Sequence, residues 1–179
     1  MRPSKREELV RKSLDLFYRN GFHATGMDLV AKETGVSKTS IYKHFRTKEE
    51  LILATLRLRD ENFRNWLFRR MEELSDNPAG QLLAMFDALE EWFGENTFRG
   101  CMFIKASAEY QEKDLPINVQ SMEHKRLLRQ HFCKLAEAAG FADAEGIAGQ
   151  LLLLKEGAIV LAAMSHSPAP AAQAKKVAE

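Results

Sequence analysis

The sequence predicts an all-α protein, with a short N-terminal group of three helices followed by a larger helical bundle. Three observations carry this expectation. Apolar residues recur every three or four positions along almost the whole chain, and the two-residue alternation of a half-buried strand is nearly absent. Helix-breaking residues fall between those periodic stretches, at Gly21, Gly35, Pro78, Pro116, Gly140 and Pro168. The 179 residues are 45% hydrophobic and 28% charged, with 10 Gly and 5 Pro. That is enough apolar material for a core, and too little Gly and Pro for a low-complexity or collagen-like chain.

The elements follow in order. A first helix over residues 5–20 carries the stripe Val10, Leu14, Phe17 and Tyr18, and Gly21 stops it. Thr25 is placed to cap a second helix with Leu29 and Val30 inward, which Gly35-Val36-Ser37 breaks. A short third helix covers residues 38–45. Thr47-Lys48-Glu49-Glu50 has the form of a capping box and opens a long fourth helix over residues 48–74. Pro78 sits at the first position of a fifth helix, a sixth runs from near Cys101 to near Tyr110, and a seventh from Pro116 is closed by Gly140. Asp143 caps an eighth helix that ends by His166, and the Ala-rich tail can form a short ninth. The fifth to eighth helices are apolar over much of their circumference, which implies burial on several sides or a cavity. The domains expected are residues 1–47 and 48–179, with the fourth helix shared by both.

The uncharged stretch Gly157–Ala174 is interrupted by Ser165, His166, Ser167, Pro168 and Pro170, so no membrane span is expected. The start, MRPSKREELVRK, is charged with no apolar core after it, which points to a cytoplasmic protein. Two cysteines cannot build a disulfide framework, in keeping with a reducing compartment.

The formal net charge of +1 hides a split. Residues 1–48 hold 11 Lys/Arg against 5 Asp/Glu, a net +6, and the remainder is −5. A basic head on an acidic body suits a polyanion partner for the head alone. The stretch TGMDLVAKETGVSKTSIYKHFRTK places two short helices about Gly35. Ala31, four residues before it, lets the helices cross closely, Gly35 can take the left-handed turn conformation, and Val36 and Ile41 form the wedge between them. This is the pattern of a helix-turn-helix, whose second helix enters the DNA major groove. Lys38, Thr39, Ser40, Lys43 and His44 give that helix a polar, basic face without an acidic residue, and the Tyr42 hydroxyl can reach the backbone. Lys48 opposes the dipole of the fourth helix unless both meet a phosphate, and Thr25 can cap its helix near a phosphate. The candidate DNA-binding residues are therefore Thr25, Lys38, Thr39, Ser40, Tyr42, Lys43, His44 and Lys48.

Residues 5–56, with LFYRNGFHAT and LVAKETGVSKTSIYKHFRTKEEL, resemble the N-terminal domain of the tetracycline-repressor (TetR) family of bacterial transcription regulators. RGCMFIKASAEY is similar to the start of that family's sixth helix. Gly26 and Met27 depart from the polar pair that many members carry there, so Met27 is left out of the site. The resemblance implies a DNA-binding repressor, a homodimer on a palindromic double-stranded operator, released by a small organic effector. It implies that the fifth to seventh helices enclose the effector and that the eighth and ninth pair with their copies. The pocket residues so implied are Phe86, Leu89, Trp92, Phe93, Met102, Tyr110, Met122 and Phe132. These are flat or adaptable side chains, and few charges fall on those faces, so an apolar or aromatic effector is expected. Glu109, Lys125 and His131 could anchor a polar group of the effector in that pocket, but solvated surface is the preferred reading for each. On the eighth helix Gly149, Gly157, Ala158, Ala162 and Ala163 are small enough for close helix approach at the dimer interface.

Other classes fare worse. An enzyme would need a nucleophile–base pair, a metal cluster or a phosphate cradle, and neither G-x-S-x-G, H-E-x-x-H nor a Walker loop occurs. His124 and His131 have no supporting ligand pattern, so no metal or cofactor is expected. Cys101 and Cys133 read as buried thiols. A helical ligand-binding bundle without DNA is the alternative function, and it leaves the basic head unexplained.

Overall fold

The computed structural model describes residues 4–179; residues 1–3, which begin the charged N-terminal stretch and the expected first domain, lie outside the described residues. The described chain is helical: α1 (Lys5–Asn20), α2 (Met27–Thr34), α3 (Lys38–His44), α4 (Lys48–Leu74), α5 (Pro78–Phe93), α6 (Met102–Glu109), α7 (Pro116–Ala138), α8 (Ala144–Ser165) and α9 (Ala169–Ala178). It divides into two compact units. One comprises residues 4–62 and 102–123, the other residues 63–101 and 124–179, so that α4 and α7 each contribute to both.

In the first unit, Ser4 and Glu7 form a reciprocal capping box at the start of α1. Gly21 ends the helix at φ 83°. A side chain there would be strained by this φ, and its Cβ would lie 3.0 Å from Glu109 Oε1, which would have to give way. The cap of α2 differs from the expected one. Gly26, not Thr25, is the N-cap, without a side-chain bond. The Thr25 hydroxyl is buried and donates backward to the Gly21 carbonyl at 2.7 Å, bracing the turn from α1. Gly35 is left-handed at φ 71°, ψ 18°, as the crossing of α2 and α3 requires. Ser37 caps α3 through Ser40 N–H at 3.2 Å. Val30, Ile41 and Phe45 are buried behind this crossing, each such side chain contributing roughly 1.5–3 kcal/mol, while Val36 and Leu29 are only half-buried. Thr47 caps α4 by accepting from Glu50 N–H, but the Glu50 carboxylate reaches Arg46 N–H (2.7 Å), one residue before the cap.

In the second unit, Asn77 caps α5 with Pro78 at its first position. Asp143 caps α8, and Gly140 (φ 83°) closes α7. The core holds Leu67, Met71, Met85, Phe86, Leu89, Leu128, Phe132 and Ile159. The tail forms α9, which packs on α5 and α8 through Ala171 and Ala174, and Lys175 pairs with Asp87 at 2.7 Å. By length and composition alone α8 could cross a membrane, a property it shares with apolar core helices of soluble proteins. Its mid-helix charges are paired inside the second unit, where Glu156 meets both Lys155 and Lys125 of α7.

Candidate nucleic-acid interface

The third helix divides cleanly by period. Ile41 and Phe45 point inward, four residues apart. Lys38, Thr39, Tyr42, Lys43 and His44 are exposed, and Ser40 is half-buried beside its cap. Exposed side chains on both sides of positions 38–39 and 42–43 make one continuous face of about two turns. Lys38 is engaged: its ammonium lies 2.9 Å from Asp28 at the start of α2, and that hydrogen bond raises its pKa. Asp28 therefore orients Lys38 along the α2–α3 crossing. Tyr42 is 45% exposed, which leaves its hydroxyl free of the core.

Lys48 and Thr25 belong to the turn rather than to the face. Lys48 is half-buried and its Nζ donates to the His23 carbonyl at 3.3 Å. Thr25 is fully buried. The turn over residues 21–25 is itself held from α6, which sequence reasoning missed. The Glu109 carboxylate accepts Phe22 N–H at 2.9 and 3.1 Å and His23 N–H at 2.5 Å, and its second oxygen lies 3.4 Å from His23 Nδ1. One turn earlier, Lys105 Nζ donates to the Tyr18 carbonyl (3.3 Å) at the end of α1 and lies over the Tyr18 ring. Glu109 thus supplies an acceptor to donors that no helix uses, and Lys105 a cation at a helix C-terminus. The signal was present as Lys105 and Glu109 four apart on a short apolar helix. It reads equally well as a solvated surface pair.

The expected pocket residues separate. Phe86, Leu89, Trp92, Phe93 and Phe132 are buried in the second unit, with Trp92 edge-on to Phe63 and Phe98. Met102 and Tyr110 belong to the first unit, where Tyr110 packs on Phe22 and His23 rather than on a cavity. Met122 is 64% exposed on α7. A cavity of about 580 Å³ in the second unit lies among Leu82, Phe141, Ile147, Leu151, Leu154 and Val177, and none of the eight lines it.

The small residues of α8 also separate. Ala158 and Ala162 are buried within the protomer's own core, which takes these two off the exposed face, while Ala163 is half-buried beside Gly100. Gly149 is half-buried and Gly157 is open, with no atom within 4 Å of where a Cβ would stand. Leu153, Leu161 and Met164 continue the Gly157 stripe and are exposed.

Lys125 and His131 are not surface groups. Lys125 lies 2.6 Å from Glu156 and 3.3 Å from Cys101 Sγ. His131 stacks on Phe68 with centroids 3.6 Å apart, and burial with Lys134 nearby lowers it to about 4. Burial and the neighbouring Glu145 and Glu137 carboxylates push the Cys133 thiol up. Among the described residues no group of three or more His, Cys, Asp or Glu is placed to hold a metal ion.

A sequence profile of bacterial regulatory proteins of the tetR family matches residues 9–55, the span of α1 to the first turns of α4. Residues 9–55 thus carry the N-terminal domain of the TetR family. The chain is a DNA-binding transcriptional regulator. The transcriptional regulator YjdC of Escherichia coli is similar throughout, 24% identical over 98% of this chain and 92% of its own. The repressor KstR2 of Mycolicibacterium smegmatis is 31% identical, over 49% of this chain and 44% of its own. Among solved structures, a TetR-type regulator of Streptomyces avermitilis superposes with a TM-score of 0.84 at 27% identity, covering 98% of both chains. Regulators of this family bind DNA operators, typically as dimers with small-molecule effectors, and are generally not enzymes.

Proposed function

We propose that this TetR-family regulator is a repressor that binds a palindromic operator as a homodimer and is released by a small organic effector. The observation that carries this reading is the exposed, basic α3 face set at a left-handed Gly35 crossing. Lys38, Thr39, Ser40, Tyr42, Lys43 and His44 meet the DNA from that face, with base edges read in the major groove. Lys48 exchanges its His23 carbonyl for a phosphate, and Thr25 supports the turn beneath it. Residues 1–47 serve as the DNA-binding domain and residues 48–179 as the effector and dimerisation domain.

The dimer forms over α8, where Gly149 and Gly157 permit close approach and Leu153, Leu161 and Met164 supply apolar surface that a second copy covers. Two recognition helices then reach half-sites roughly 34–36 Å apart. The effector is apolar or aromatic and acts by binding one conformer better than the other. The protein acts by binding, without catalysis, in the cytoplasm.

The test is fluorescence anisotropy with fragments of the promoter ahead of its own gene, across a salt series. Specific binding that weakens steeply with salt is expected. Lys48→Ala should weaken all fragments alike and lower the salt slope by about one. No specific binding to any genomic fragment would overturn the reading, and an unchanged slope removes Lys48 from the contacts.

A further inference from the structure

Two ammonium groups share one carboxylate inside the second unit. Lys125 of α7 donates to Glu156 Oε2 at 2.6 Å, and Lys155 of α8 donates to Glu156 Oε1 at 2.9 Å. Cys101 Sγ lies 3.3 Å from the Lys125 ammonium. The Lys155 side chain is 1% exposed, whereas Lys125 and Glu156 keep 17% and 19%, so the cluster is reached from their side and closed behind Lys155. The surroundings are aromatic. Phe63 lies 5.2 Å from Lys155 Nζ and packs in turn against Trp66, Trp92 and His124.

Buried charges are tolerated when they are paired. Two cations and one anion leave a formal excess of one positive charge in a mostly apolar setting. Burial alone would raise the Glu156 carboxyl, yet the two ammoniums hold it at about 2, and burial pushes the Lys155 ammonium down. A second carboxylate would bring the cluster to neutrality, and the rings beside it would suit a flat ligand body.

We propose that the Lys125–Glu156–Lys155 cluster receives the anionic group of the effector, an aromatic monocarboxylate whose ring lies among Phe63, Trp66 and Trp92. This rests on the reading that the second unit binds the effector, and it adds one negative charge to the apolar ligand that the sequence suggests. The carboxylate joins Glu156 between the two lysines, and Glu156 is therefore its competitor.

The experiment uses the full chain and isothermal titration with benzoate, phenylacetate and indole-3-acetate, each beside its primary amide. At least one acid should bind about tenfold tighter than its amide. Lys155→Met should bring acid and amide to within about twofold, because the charge that separates them is gone. Glu156→Gln should instead tighten the acid several-fold, since the competing carboxylate is removed. This opposite sign carries the test should Lys155→Met not fold. Amides binding as well as acids, an acid weakened by Glu156→Gln, or no acid binding would each overturn the proposal. Inorganic phosphate binding as tightly as the aromatic acids in the same titration would overturn it too. Anisotropy on the operator separates the two readings: amides that bind and release DNA defeat the anion site and leave the effector reading standing.

Discussion

Glu109 offers the sharpest prediction about how the DNA-binding head is held. Its carboxylate, 25% exposed, accepts Phe22 and His23 N–H at the turn that carries the His23 carbonyl and hence Lys48. A hydrogen bond to a charged group contributes about 1.5–3 kcal/mol, and a buried donor left bare costs its desolvation as well. Phe22 is fully buried, so its N–H has no ready access to water, whereas the exposed His23 can rehydrate. Glu109→Ala should therefore cost about 3 kcal/mol in urea denaturation, and Glu109→Gln, which keeps one acceptor, about half of that. The functional effect exceeds the loss of stability. At a temperature where both variants are fully folded, Glu109→Ala should weaken operator binding by about tenfold, because the turn no longer fixes the start of α4. Glu109→Gln should recover most of it. Denaturation and anisotropy on one preparation check this. Stability lowered by under about 0.5 kcal/mol together with unchanged operator affinity would refute the reasoning, since the bonds would then be exchanged for water at no cost.

Two further predictions follow from burial and charge. Leu161→Glu places a like charge on both copies within the exposed α8 stripe, so sedimentation velocity at micromolar concentration should show a monomer that keeps its helical content; an undisturbed dimer would move the interface off α8. His131 is held near 4 against an ordinary 6.5, so its neutral form is favoured in the fold and its contribution is complete above about pH 6.5. That contribution is lost as pH falls from about 6.5 to about 4, where only the unfolded chain binds the proton. With solvent screening of a partly exposed ring, the loss is on the order of 1–2 kcal/mol. Urea midpoints across that range should fall for the parent and flatten for His131→Phe; equal slopes would place the pH dependence elsewhere.

The head was legible because its signals are local. Gly35 must be left-handed to turn α2 into α3, and Ile41 and Phe45 fall four apart on the face opposite Lys38, Thr39, Tyr42 and Lys43. A short-range rule decides each of these. Thr25 shows where locality ends. Its spacing fits a cap of α2, but the hydroxyl finds the Gly21 carbonyl behind it, because the buried turn supplies an acceptor that needs a donor. Glu109 lies beyond any local rule: its donors are 87 and 86 residues away in sequence.

The second unit was less legible for a physical reason. In a helix that is apolar nearly all round, periodicity cannot say which side meets the core, a cavity or a second copy. On α8 the small residues were the misleading cue. Ala158 and Ala162 are small because they face crowded neighbours within the protomer, while the exposed stripe carries Leu153, Leu161 and Met164. Charge misled in the opposite sense. Lys125 and Lys155 look like surface residues one at a time, since a lone buried lysine is costly. They are buried because Glu156, on the next helix and next in sequence respectively, reaches both. A charge on an otherwise apolar helix is therefore the informative residue. Its burial has to be compensated by a partner from elsewhere in the fold, as Glu156 compensates Lys125 of α7 and its own neighbour Lys155.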